Sequence, residues 1–134
     1  MRIKLDEGAK VPTKGTPHSA AYDMYANESI SIPPNTVRLV STGVYMEIPN
    51  GYCGILTHRS GMNTKGALAY GTIDCDFRNE LKVILFNNSW DFLKIEKGQR
   101  VAQIRFVKTE TTDFEVVKEL TKTQRDGGFG STGI

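Results

Sequence analysis

The sequence predicts one all-β domain with a single short helix, on three observations. Apolar residues alternate with period two in several short segments, as in half-buried strands. Turn-forming clusters recur at short intervals, which indicates a sandwich, barrel or jelly roll. The chain has 134 residues, 39% of them hydrophobic, enough for one core without covalent staples. No internal repeat and no linker marks a second domain.

Taken in order, residues 20–26 put one carboxylate, Asp23, inside an otherwise uncharged run. A buried acid there must find partners or a cation, and a strand-end or turn acid is the plainer alternative. Pro33-Pro34-Asn35 is a turn, and residues 37–42 are rich in β-branched types that favour strand. Pro49-Asn50-Gly51 turns the chain into a strand over 52–56, where aromatic and aliphatic residues mix. A short helix is expected near 61–65, after the Arg59-Ser60-Gly61 turn. Residues 81–86, Leu-Lys-Val-Ile-Leu-Phe, are almost continuously apolar and read as a strand buried on both faces. Asn87-Asn88-Ser89 and Lys97-Gly98-Gln99 are further turns. Ala102, Ile104 and Phe106 then share one strand face, with Gln103 and Arg105 on the other. Residues 114–119 alternate in the same way.

Composition narrows the function classes. With 24% charged residues the chain is neither disordered nor fibrous. A net charge of +2 does not by itself imply nucleic-acid binding, though it allows a local basic site for one small polyanion. Cys53 and Cys75 have no CxxC spacing and no histidine at ligand spacing, so reduced thiols fit better than zinc or a disulfide. No apolar run reaches membrane-span length, and the first residues carry no secretory h-region. The expectation is a soluble intracellular protein, cytoplasmic or nuclear.

Five segments could carry chemistry. The tail from Gln124 has four glycines, whose backbone N–H groups can converge on an anion. Ser131 and Thr132 add hydroxyls, Arg125 adds charge, and Phe129 offers a flat ring to stack on a base. A frayed end is the plainer reading. His58-Arg59-Ser60-Gly61 combines a planar donor fork, a short hydroxyl and a glycine; alone it is a surface turn. Gly71-Thr72-Ile73-Asp74-Cys75-Asp76-Phe77-Arg78 carries two acids two apart, pointing the same way if the segment is extended. They could bind metal, orient water or be solvated. Residues 20–26 and 97–103 complete the set.

Together, and in this order, the five segments resemble the five motifs of trimeric dUTPases. The resemblance runs from about Ala20 to Gly133; Gly-Gly-Phe-Gly-Ser-Thr-Gly at 127–133, with Arg-Ser-Gly at 59–61 and Gly-Thr-Ile-Asp-Cys-Asp-Phe-Arg at 71–78, is specific as a set. It implies a distorted jelly-roll barrel assembled as a homotrimer, with active sites at subunit interfaces. The β domain would be residues 1–123, and residues 124–134 a lid over a neighbour's site. It implies hydrolysis of dUTP to dUMP and pyrophosphate, keeping uracil out of DNA and supplying dUMP for dTMP synthesis. Asp74 matches the aspartate that activates the attacking water. Arg59, Ser60 and Gly61 match the triphosphate-binding turn. Gly71, Thr72, Ile73 and Lys82 match the hairpin whose backbone reads uracil, and Phe77 the aromatic under the deoxyribose. Asp23 matches an acid tied to magnesium (Mg2+) through water, with the substrate phosphates as direct ligands. Gln103 matches a phosphate-side glutamine. Phe129 matches the ring over uracil, with Gly130, Ser131 and Thr132 on the phosphates. The partners implied are dUTP and two further copies of the chain, with no nucleic acid and no membrane.

The chain departs from that pattern at several points. Phe77 stands where tyrosine is usual, Asn79 and Ala21 replace glycines, and His58 replaces a frequent proline. Only Asp126 separates Arg125 from Gly127, so strict alignment puts Gln124 at the tail arginine position. Either Arg125 shifts into register or the γ-phosphate loses a contact. A dCTP deaminase is the nearest rival, but deaminases carry a catalytic glutamate where this chain has Leu85. A non-catalytic nucleotide-sensing module is the alternative of another class.

Overall fold

The computed structural model describes residues 1–133. Ile134, the last residue of the expected lid, lies outside the described residues. Ten strands and one helical turn follow in order: β1 (Arg2–Leu5), β2 (Tyr22–Tyr25), β3 (Ile30–Ile32), β4 (Thr36–Val40), β5 (Val44–Glu47), β6 (Tyr52–Thr57), α1 (Ser60–Asn63), β7 (Ala67–Ile73), β8 (Val83–Asn87), β9 (Leu93–Ile95) and β10 (Arg100–Lys108). The fold is the expected all-β, jelly-roll-like one. A curled six-stranded sheet runs in the order β2-β10-β6-β7-β8-β4, flanked by the pairs β1-β5 and β3-β9. Every pairing is antiparallel.

The inward residues of these strands make one core. Met24, Ile32, Val40, Val44, Val83, Leu85, Val101 and Ile104 are fully buried. Each such side chain contributes roughly 1.5–3 kcal/mol by leaving water. Two polar side chains, Thr42 and Asn87, are shut in with them. Asn87 donates through Nδ2 to the carbonyls of Ile32 (2.9 Å) and Asp91 (2.8 Å), and its Oδ1 accepts from the Ser89 N–H and hydroxyl. Its side-chain oxygen and nitrogen are thus both used, so its burial carries little penalty.

The expected strands at 37–42, 52–56 and 102–106 appear as β4, β6 and β10, and the helix as α1, one residue earlier than expected. Asn35 takes the positive φ (54°) that its turn needs. Gly66 (φ 79°) leads out of α1; a Cβ there would lie 2.8 Å from the Asn88 carbonyl oxygen, so only glycine lets β7 start. Cys53 and Cys75 are free thiols.

Three expectations are corrected. Residues 81–86 are not buried on both faces: Leu81, Val83 and Leu85 face the core, but Ile84 is 51% exposed. Ile84 lies opposite Leu39, and Phe86 opposite Val37, so the apolar run marks an uncovered outer sheet face. Residues 114–119 form no strand; Phe114 and Val116 are exposed, because alternation without a partner edge makes no ladder. Asp74 and Asp76 do not share an extended face, because a turn begins at Asp74, with the Phe77 N–H donating to its carbonyl. Among the described residues no helix is long and apolar enough to cross a membrane.

Candidate active site

Strand β10, between β2 and β6, sets the site. Gln103 lies directly opposite Asp23 on one neighbour, β2, and opposite Thr57 on the other, β6. Three polar side chains therefore stand in a row across three strands. Gln103 Nε2 donates to Thr57 Oγ1 at 3.3 Å. Two residues beyond Thr57, extended backbone at Arg59 (φ −86°, ψ 151°) opens α1. The N–H groups of Met62 and Asn63 donate to the Arg59 carbonyl, which fixes where its side chain leaves the backbone.

Asp23 is 13% exposed and holds two arginines. Its Oδ1 accepts from Arg59 Nε at 2.7 Å, and its Oδ2 from Arg100 at 3.4 Å. The acid in an uncharged run thus has the partners its burial requires. Binding through Nε leaves the two terminal nitrogens of Arg59 free to fork onto an oxyanion. These groups line a cavity of about 380 Å³ with Ser19, Ser60 and Arg105. Three arginines face one carboxylate there, so the cavity suits a compact polyanion.

The hairpin segment lies elsewhere. β6 and β7 pair from Thr57↔Tyr70 to Gly54↔Ile73, so Asp74 follows the end of the ladder remote from Arg59. Six residues of strand rise separate the two positions, about 20 Å. Gly71, Thr72 and Ile73 form the last part of β7, Asp74 is the residue after it, and Gly71 has open space where a side chain would stand. Phe77 is 37% exposed in the turn that follows, and Arg78 braces that turn by donating to the carbonyls of Cys75 and Phe77. Lys82 precedes β8 and pairs with Glu80 at 3.6 Å.

Glu80 anchors the hairpin. Its Oε1 accepts from the Ser41 hydroxyl and from the N–H groups of Thr42 (3.1 Å) and Gly43 (2.9 Å). Burial pushes its carboxyl pKa up, but the Ser41 hydrogen bond, the Gly43 N–H, Lys82 and the Thr42 N–H outweigh it, leaving the group below the ordinary carboxylate value.

The described residues of the tail, 124–133, are exposed throughout. No strand or helix follows Lys108 among the described residues. Arg125 is exposed, its N–H donating to Thr123 Oγ1. Ser131 and Gly133 close two small turns onto the Gly128 and Gly130 carbonyls, leaving Phe129 fully exposed. Thr132 is exposed as well.

The chain thus gathers Asp23, Arg59, Ser60 and Gln103, and keeps the Asp74 hairpin and the tail apart from them. Sequence reasoning missed Thr57, Arg100, Arg105 and Glu80 as contributors. Arg100 was within reach of it, since the 97–103 segment supplies a cation for an acid that needs one. Thr57 and Glu80 depend on register, which the sequence does not carry. His58 stays in the ladder, its N–H donating to the Ala69 carbonyl. Leu85 is fully buried in the core, so the position where a deaminase carries its carboxylate is apolar here. Among the described residues no three histidine, cysteine or acidic side chains cluster to hold a metal.

Comparison with known proteins gives a consistent answer. The family model described as dUTPase matches residues 7–133. A deoxyuridine 5'-triphosphate nucleotidohydrolase of Yarrowia lipolytica is 43% identical over 135 residues, covering 97% of this chain and 86% of the relative. The solved structure of Staphylococcus bacteriophage 80alpha dUTPase with dUPNHPP superposes with a TM-score of 0.92 at 27% identity, over 99% of this chain and 98% of that one. A mutant dUTPase from phage phi11 of S. aureus, described with a structural Mg(II) ion, gives 0.83 at 24% identity over 90% and 98%, a likeness of fold.

Proposed function

We propose, because this chain belongs to the dUTPase family, that it hydrolyses dUTP by attack of an Asp74-held water on the α-phosphorus. The water oxygen bonds to the α-phosphorus and the α–β bridging oxygen departs with pyrophosphate, leaving dUMP. Asp74 takes the proton from the water. Such a reaction is accelerated by positioning and by charge held against the leaving group. The cavity at Arg59 supplies both. Asp23 fixes the Arg59 guanidinium through Nε, Ser60 and the α1 backbone offer short donors, and Gln103 is held in line by Thr57. Removing dUTP would keep uracil out of DNA, and the dUMP formed would feed dTMP synthesis.

Magnesium fits this donor set through the substrate. A carboxylate has about four acceptor sites, and the two arginines use only two of those on Asp23. That leaves room for a bridging water. The ion, held mainly by the triphosphate oxygens, would neutralise their charge.

The active site is shared between copies in a homotrimer. The observation that carries this is the roughly 20 Å of strand between Asp74 and Arg59, which lie at opposite ends of one ladder. A single α-phosphate is met by both when one copy presents the Asp74 hairpin to another copy's arginine cavity. The exposed apolar face at Val37, Leu39 and Ile84 gives copies a surface to bury. Residues 124–133 then close as a lid: Phe129 covers uracil, Gly130, Ser131 and Thr132 reach phosphate oxygens, and Arg125 shifts into register on the γ-phosphate. Phe77 packs under the deoxyribose. The backbone of Gly71, Thr72 and Ile73, with the strand to Lys82, pairs with uracil. A donor aimed at O4 would face the amino group of cytosine, a mismatch that costs far more than a missing methylene.

The test is Asp74→Asn. It should bind a non-hydrolysable dUTP analogue with magnesium about as tightly as the parent, while turnover falls at least about 100-fold. Unchanged turnover would remove Asp74 from the mechanism.

A further inference from the structure

Arg105 lines the same cavity as Arg59, Ser60 and Gln103, and no role attaches to it in the reading above. It stands two residues beyond Gln103 on β10, so the strand pleat sends both side chains to one face. Its strand partner on β6 is Ile55, which neither shares nor cancels its charge. No ion pair among the described residues engages its guanidinium, whereas Arg59 and Arg100 both lean on Asp23. Of the three arginines around the cavity, Arg105 is therefore the one whose charge is not already met by a carboxylate.

We propose that Arg105 is a further binding residue, which takes the β- and γ-phosphates of the substrate and the pyrophosphate it becomes. The proposal rests on the dUTP-hydrolysing reading and deepens it. A solvated guanidinium beside a polyanion is attracted by charge and offers a planar fork to two oxygens. It reaches the leaving-group end without any movement of the tail. Phosphate binding is then divided between a fixed strand residue and a mobile segment, so that pyrophosphate keeps a contact when the tail opens.

A charge series on the full chain tests this: Arg105→Lys, Arg105→Ala and Arg105→Glu. An exposed charged contact of this kind is worth about a two- to five-fold change in affinity. KM for dUTP and the inhibition constant for pyrophosphate should rise in the order Lys, Ala, Glu, by about that factor for Ala and more for Glu. Inhibition by dUMP should stay near the parent value, and added salt should narrow the differences. Titration calorimetry with pyrophosphate and magnesium reads the same order without turnover. Unchanged pyrophosphate affinity in Ala and Glu would overturn the proposal. So would an equal loss in all three variants, since a packing role does not follow charge. A parent protein that binds pyrophosphate but leaves dUTP intact would sink the hydrolysis reading, and the calorimetric series would still decide Arg105.

Discussion

Replacing Glu80 by glutamine should loosen the hairpin that carries Asp74, and the loss should vanish in acid. Glu80 receives three donors on one oxygen: the Ser41 hydroxyl and the N–H groups of Thr42 and Gly43. Its side chain is 15% exposed, so water replaces these partners poorly. Hydrogen bonds to a charged acceptor are worth about 1.5–3 kcal/mol against 0.5–1.5 for neutral ones. Glutamine keeps an oxygen for the three donors but turns an amide N–H toward Lys82, so about 1–2 kcal/mol should go. For a domain of this size that lowers the melting temperature by roughly 4–8 °C. The folded-state pKa of Glu80 is depressed, so its contribution is full above the unfolded carboxylate value and is lost as pH falls through the folded one. The gap between parent and Glu80→Gln should thus be complete at neutral pH and close below about pH 4. Urea unfolding of both proteins at several pH values and one fixed protein concentration measures it. Equal midpoints at neutral pH, or a gap that does not close in acid, would refute the clamp.

Two further outcomes follow from the same structure. Phe129→Trp should change its fluorescence when a non-hydrolysable dUTP analogue and magnesium are added, because the exposed ring becomes covered; an unchanged spectrum in a variant shown to bind would undo the lid. Ile84→Lys, on the outer sheet face, should shift the assembly toward monomer in light scattering and lower turnover at dilute concentration; a fully active, unchanged oligomer would mean that this face is not where copies meet.

Much of this was legible in the sequence, for identifiable reasons. The alternation of Ala102, Ile104 and Phe106 reports a strand with one covered face, and β10 is that strand. The need of Asp23 for a cation follows from burial alone, and Arg59 and Arg100 meet it. Other features depend on what lies across the fold. An apolar run such as 81–86 records that a face is apolar, not whether this chain or another copy covers it, so it does not reveal that Ile84 stands exposed. The alternating stretch from Phe114 has strand propensity but no edge to pair with in one chain. The two-residue spacing of Asp74 and Asp76 suggests a shared face, because the tight turn that removes it leaves little mark on spacing. The Glu80 contacts join residues almost forty positions apart, and only register brings them together.

The central claim is tested most directly by pyrophosphate release from dUTP, dCTP, dTTP and UTP, measured side by side with magnesium. The account predicts rapid release from dUTP and little from the other three. In the proposed site the uracil-reading hairpin would disfavour cytosine and exclude the thymine methyl, and Phe77 under the sugar would exclude a 2′-hydroxyl. Comparable release from all four would contradict it and mark a broad nucleotidase; release from none, with binding intact, would mark a nucleotide-sensing module.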